Sequence, residues 1–181
     1  TVESWSKNVF NLNTKRAYVE ENKVIEWVTG SFGSKVSMLY PMGILAGARS
    51  RMEYTGVSFA GEGQVLDTGA KVVHLAEDTY SMINAKSLSS GGGGSMTRTL
   101  ARITRKALRA RSYTDCKSLI LDNRSVSNAI PEVKVECNEA EVSHEASVGK
   151  ISDEAVYYLQ TRGVSEDEAR ALIVRGFTGD V

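Results

Sequence analysis

The sequence predicts a mainly β chain that ends in a small α-helical hairpin. Three observations carry that expectation. Short runs of alternating apolar and polar residues follow one another from Lys15 to about Ser147. Gly, Asn, Asp and Ser fall between the runs, and the only prolines, Pro41 and Pro131, suit strand edges or corners. After Ile151 the apolar spacing changes from the period of a strand to that of a helix.

The runs Lys23–Val28, Lys35–Tyr40, Lys71–Leu75, Lys117–Leu121, Glu132–Cys137 and Glu141–His144 are rich in β-branched and aromatic residues and read as strands. Gly30-Ser31, Gly47, Gly61-Glu62-Gly63, Asp67-Thr68-Gly69, Glu77-Asp78, Asp122-Asn123 and Asn138-Glu139 read as turns. Residues 44–50, 73–79 and 119–125 share a cadence: two apolar residues, a small or acidic turn, then Ser or Thr starting the next strand. Such a recurrence, without helices between, suits a β-solenoid of stacked rungs, but a β-sandwich gives as many short strands. Periodicity alone does not separate the two. Gly91-Gly92-Gly93-Gly94-Ser95 reads as a native mobile loop. It is not a phosphate cradle, because it lacks the Lys-Ser/Thr ending that would set a phosphate on a helix N-terminus.

Ser152-Asp153-Glu154 is a cap with acidic first-turn residues, leading into a helix that stops at Gly163. Ser165 and Glu168 form a capping box that opens a second helix, with Ala169, Leu172, Ile173 and Gly176 on one face. Both helices are too short to be stable alone and must dock. The expected division is a β body over residues 1–148 and a helical segment over 149–181.

With 22 basic and 22 acidic side chains among 181 residues, the chain lacks the basic excess that nucleic-acid binding demands. The cluster Arg98, Arg102, Arg105, Lys106, Arg109 and Arg111 reads as a solvated strand face or interface rim. No apolar run approaches the roughly 18 residues of a membrane span, and the N-terminus lacks the order of a signal peptide. Two cysteines suit a reducing compartment, so a cytoplasmic protein is expected.

Cys116, Cys137, His74, His144 and Glu145 are the side chains with metal or proton chemistry to offer. Cys116 is either a small buried hydrophobe or, if the Arg111 side chain converges on it, a thiolate. On a strand His144 shares a face with Val142 and Ala146, whereas Glu145 shares the other, exposed-looking face with Glu141, Ser143 and Ser147. The two cannot address one site without a bulge. Cys137 alternates with Val133 and Val135, and His74 with Val72 and Ala76, which makes both core or corner residues. Trp5, Trp27 and the tyrosines read as packing residues. Two widely separated cysteines rule out a self-contained ferredoxin cluster and a structural zinc knuckle.

The runs ARSYTDCKSLILDNRS, HEASVGKIS and RGVSEDEARALIVRGF resemble the C-terminal part of the SufB/SufD family, the scaffolds of iron–sulfur cluster assembly. WSKNVFNLNTKRA and DTGAKVVHLAEDT resemble its SufB-type members. The likeness spans nearly the whole chain in order and departs from the family at Met96–Arg102, where Tyr-Arg-Gly-Leu is usual. Family members also extend beyond both ends of this chain, so the solenoid is expected to present an uncapped end. The resemblance implies a right-handed parallel β-helix, which decides against the sandwich. It implies that Cys116 builds a transient iron–sulfur cluster, with Glu145 as functional carboxylate and His144 in support. The cluster would be held at an interface with a SufD-type subunit or a second copy of the chain. A SufC-type ATPase would dock on Ser152–Phe177 through Glu154, Tyr158, Glu168, Leu172 and Ile173, and a sulfur donor system would deliver sulfur as persulfide.

The chain itself is expected not to be an enzyme, since it has no Gly-x-x-x-x-Gly-Lys-Ser/Thr motif and ATP hydrolysis would belong to the partner. The alternative implied is a SufD-like structural subunit that binds no metal. A polysaccharide-active β-helix would need carboxylates clustered on one exposed face, and here they are dispersed among turns and caps.

Overall fold

Alternation leaves each run of residues with two faces, and a chain of such runs buries one face by coiling so that equivalent faces meet inside. In the computed structural model, which describes residues 1–179, the strands are β1 (Val2–Trp5), β2 (Phe10–Asn13), β3 (Arg16–Val19), β4 (Val24–Gly33), β5 (Val36–Leu39), β6 (Met42–Leu45), β7 (Arg51–Ala60), β8 (Val65–His74), β9 (Tyr80–Ser89), β10 (Gly94–Ile103), β11 (Arg111–Ile120), β12 (Val126–Val135) and β13 (Glu141–Lys150). Helices α1 (Asp153–Gln160) and α2 (Glu166–Thr178) follow. Every pairing is parallel. One sheet runs β1-β4-β7-β9-β11-β13; the other runs β12-β10-β8, then β5 with β6, then β2 with β3. The result is a β-solenoid of about five turns, not a sandwich.

Two stretches expected as turns lie inside strands: Gly30-Ser31 in β4 and Asp67-Thr68-Gly69 in β8. Turn chemistry lost there because the residues pair in register with neighbouring rungs, Ser31 with both Glu3 and Ser58, Asp67 with both Met96 and Met38, and Gly69 with Arg98 on one side. Pro41 splits β5 from β6, since it has no N–H for the ladder, and Pro131 is confined to β12, an edge strand. β13 continues to Lys150, past residue 148 where the body was expected to stop.

The corners repeat as regularly as the strands. Asn22, Arg49, Asp78 and Arg109 occupy one corner in successive turns, with φ of 58°, 59°, 56° and 57°. Left-handed φ is costly for arginine, and side-chain bonds offset the cost. Arg49 Nε donates to Asn22 Oδ1 at 2.7 Å, and Arg109 Nε donates to Asp78 Oδ1 at 2.7 Å. The shared cadence of the sequence falls at both corners: residues 44–50 and 73–79 at this one, residues 119–125 at the opposite one. In each, the Ser or Thr hydroxyl closes its own turn, Ser50 on Gly47 O, Thr79 on Ala76 O and Ser125 on Asp122.

The glycine run is an ordered corner rather than a mobile loop. Gly91 and Gly92 take φ of 66° and 87°, and their N–H groups donate to Asp122 Oδ2 and Ser125 Oγ of the next rung. A Cβ on Gly93 would stand 2.4 Å from Ala60 O, so the previous rung leaves no room for a side chain. An internal carboxylate fills the nest a phosphate would need. Burial works against its charge, yet the N–H groups of Arg124, Gly91 and Ser125 hold the Asp122 carboxyl down at about 2.

Small hydroxyls stack inside the solenoid as well as apolar side chains. Ser81 meets Ser112 at 2.8 Å, Ser87 meets Ser118 at 2.7 Å and Ser95 meets Ser127 at 2.8 Å. His74 is fully buried at the end of β8, as its alternation indicated. Its Nδ1 lies 2.8 Å from Thr79 Oγ1 and its Nε2 2.9 Å from Ser81 Oγ. The Thr79 hydroxyl donates to Ala76 O and the Ser81 hydroxyl donates to Ser112 Oγ, so each can accept from whichever ring nitrogen carries the proton.

Of the residues read as packing, Tyr54 is buried with its hydroxyl accepting from Thr29, whereas Trp5, Tyr18, Tyr157 and Tyr158 are exposed. At the end formed by β1, β2 and β3, which have no further partner strand among the described residues, polar groups fill the interior. Glu3 points inward from β1, receives Lys15 Nζ at 2.8 Å and accepts from Asn11 Nδ2 at 2.7 Å.

Burial holds the His74 imidazole down at about 4, against an ordinary 6.5. The unfolded chain therefore binds the proton first, and the stability this group contributes above pH 6.5 is lost as pH falls toward 4. In urea titrations at several pH values, His74→Gln should lose less stability than the wild type across that window, by about 2 kcal/mol. Parallel pH curves for the two proteins would contradict the neutral, buried imidazole.

Candidate functional site

The expected site residues come from adjacent strands at one end of the solenoid. β11 presents Ser112, Thr114, Cys116 and Ser118 inward and Arg111, Tyr113, Asp115 and Lys117 outward. β13 pairs with it in register, Thr114 with His144, Asp115 with Glu145 and Cys116 with Ala146. His144 therefore shares the inward face with Cys116, about 8 Å away along the diagonal of a parallel pair. Glu145 stands on the outer face. No bulge interrupts β13, so the split read from alternation holds, and the three expected ligands do not converge within one chain.

Cys116 is 0% exposed. It packs in the main apolar cluster with Tyr54, Ile83 and Ala85, and its Sγ lies 3.8 Å from Thr99 Oγ1 of the facing sheet. Burial pushes its thiol up from the ordinary value, only partly offset by the Thr99 contact. The Arg111 side chain does not converge on the sulfur: it points outward with its guanidinium over the Tyr80 ring, 5.9 Å from the centroid. At rest Cys116 is a neutral thiol, separated from the end of the solenoid by one strand.

That strand is bare. Among the described residues no strand pairs with the free edge of β12 or β13, and nearly every β13 side chain is exposed, including the inward-pointing His144, Ala146 and Val148. With a rung on one side only, these inward positions stay open to solvent. The end thus offers unpaired backbone groups, an imidazole, and a thiol one layer below.

On the outer face Glu145 joins Asn84, Tyr113, Asp115 and Ser143 around a shallow cleft of about 160 Å³. Sequence reading passed over Asp115. Its Oδ2 pairs with Lys117 Nζ at 2.8 Å, while Oδ1 is buried without a hydrogen-bond partner. Its parity with Glu145 becomes a signal only once the two strands are known to pair in register. Among the described residues no group of three or more His, Cys, Asp or Glu side chains is placed to hold a metal ion. Cys137 is a corner residue, packed with Ile103, Ala107 and Ala110.

The hairpin forms as its caps indicated. The Ser152 side chain accepts from Ala155 N, Ser165 and Glu168 make the full capping box, and Gly163 turns the chain at φ 88°. The expected docking residues divide between two environments. Glu154, Tyr158, Glu168 and Leu172 are exposed, although Glu168 is occupied by the cap. Ile173 packs into the hairpin core beside Val156 and Ala169. Leu172, expected on the same face as Ala169, is 45% exposed and lines a cleft with Val164, Ala171 and Arg175. Among the described residues no helix is long and apolar enough to cross a membrane.

Comparison with known proteins agrees with this architecture. Residues 1–177 match the family model for the SUF system FeS cluster assembly SufBD core domain. Iron–sulfur cluster assembly SufBD family proteins of Staphylococcus aureus, Staphylococcus haemolyticus and Staphylococcus epidermidis are each 46% identical over 177 residues, covering 98% of this chain. The chain spans 38% of the length of those relatives. With residues 1–177 of the chain matched to the core-domain model and the solenoid that the resemblance implied in place, the chain belongs to the SufBD family of iron–sulfur cluster assembly proteins.

Proposed function

We propose that this chain is the cluster-building part of a SufB-type scaffold. A nascent iron–sulfur cluster is its cargo, assembled where the bare end of the solenoid meets a SufD-type subunit or a second copy of itself. The carrying observation is the position of Cys116, one strand beneath an unpaired end that also presents His144 on the same face. A cluster needs about four thiolate or imidazole donors, so a partner chain must supply what one solenoid lacks. Iron binds the thiolate, and a thiol sealed among Tyr54, Ile83 and Ala85 keeps its proton. Donor chemistry is therefore gated by opening of the end. Glu145 and Asp115, on the outer face of the same two strands, receive iron or a proton as the edge rearranges.

The exposed side of the hairpin, with Tyr158 and Leu172, docks a SufC-type ATPase that drives the opening. Sulfur comes from a separate donor system in the cytoplasm, and the chain performs no ATP chemistry of its own. The complete burial of Cys116 favours one second reading, a SufD-like subunit that supports the complex without binding metal.

Reconstitution of the full-length protein with iron and sulfide separates the two readings. Cys116→Ser should abolish most of the visible cluster absorbance, and Glu145→Ala should lower it several-fold; absorbance unchanged in both variants rejects the site. Truncation before Ser152 should eliminate co-purification with the ATPase, and retained binding would move the docking surface elsewhere.

A further inference from the structure

Little holds the hairpin to the solenoid. Its own core has three buried residues, Ile151, Val156 and Ala169. Two cationic side chains make the longer reach. Lys86, outward on β9, donates from Nζ to Phe177 O at 2.9 Å and lies 5.7 Å from the centre of the Phe177 ring. Arg170 of α2 donates from Nη1 to Leu121 O, just beyond β11, at 3.5 Å. Phe177 O is among the last four carbonyls of α2, which have no acceptor role inside the helix, so Lys86 satisfies an orphan group at the negative end of the helix dipole.

Both attachments reach the strands that frame Cys116. Lys86 sits between Ala85, which pairs in register with Cys116, and Ser87, whose hydroxyl meets Ser118 at 2.7 Å. Leu121 directly follows β11, the strand that carries the thiol. Leu88, the next outward residue after Lys86, is only 2% exposed although it faces away from the core. Leu119 and Phe59 flank it in register, and Lys86 fastens the end of α2 to the same outer surface of the sheet.

We propose that Lys86 and Arg170 are positioning residues that latch the hairpin against β9 and β11, so that undocking the hairpin loosens the rung of Cys116 and admits solvent to its sulfur. This deepens the functional reading above and rests on it for the identity of what pulls the hairpin away. The latch itself is a property of this chain alone. Elements held by few buried contacts open locally at a fraction of the global unfolding free energy, and losing one charge-assisted bond shifts such an opening by about tenfold or more.

The test is the rate at which a small thiol reagent labels Cys116 in the folded full chain, with Cys137→Ser removing the second thiol and no partner present. Lys86→Met should accelerate labelling about tenfold, Arg170→Met by a smaller factor, and Lys86→Arg should return the rate to near the starting value. Cys137, in the opposite corner, serves as the control. Measured in a Cys116→Ser background, its labelling should not change with Lys86→Met. An unchanged Cys116 rate overturns the latch, as does equal acceleration of both thiols, which would mean general destabilisation, or failure of Lys86→Arg to restore. Phe177→Leu, which removes the ring but keeps an apolar contact, gives an independent reading in the same direction if Lys86→Met folds poorly. Because no ATPase is in the assay, its result stands apart from whether the hairpin docks one.

Discussion

In-register parallel pairing is the constraint on which the rest of this structure depends. Each long strand lies directly over its equivalent one turn away, so inward positions form columns through the solenoid. Thr29, Gly56, Ala85, Cys116 and Ala146 are one such column. A slip of one residue would turn every inward side chain to solvent. The corners enforce the same alignment, with left-handed residues stacked at one edge and the Gly91–Gly93 turn tied to Asp122 and Ser125 at the other. Register therefore decides that Cys116 and His144 face one way and Asp115 and Glu145 the other.

The same stacking explains how a thiol can be both protected and close to a surface. A strand in the middle of the solenoid has neighbours above and below; β13 has one. Cys116 lies in the next layer down, where it is dry and protonated, yet one strand is all that separates it from whatever pairs with the open end. Under the proposed function the chain takes up a cluster and releases it, and a donor that becomes a thiolate only when its rung loosens suits that cycle better than a permanently exposed ligand. The hairpin, lightly packed and fastened to the two strands around the thiol, is the element best placed to control the loosening.

Much of this was legible in the sequence. The caps at Ser152 and Ser165 fixed both helices, and alternation separated His144 from Glu145. Other features could not be read because they belong to pairs of rungs. Asp67-Thr68-Gly69 has turn chemistry but sits mid-strand, since β10 pairs all three residues in register and β5 pairs the first two. Four glycines look like a linker until the previous rung is seen to leave no space at Gly93. The inward face of β11 is Ser, Thr, Cys and Ser, which resembles a solvent face in any single strand. It is an interior because hydroxyls bond along the column, as Ser87 does to Ser118. Conversely, His144 and Val148 have inward parity and are exposed, because no further rung covers that side of β13.

The central claim is that the bare end formed by β12 and β13 is where a second chain completes the site above Cys116. Amide hydrogen exchange on the full-length protein, alone and with its partner subunit, addresses it most directly. Exchange along the free edges of β12 and β13 should slow on complex formation while the inner strands β8 and β9 stay as they were. If β12 and β13 exchange at the same rates in both samples while protection appears elsewhere, the end of the solenoid is not the meeting place and Cys116 is a core residue.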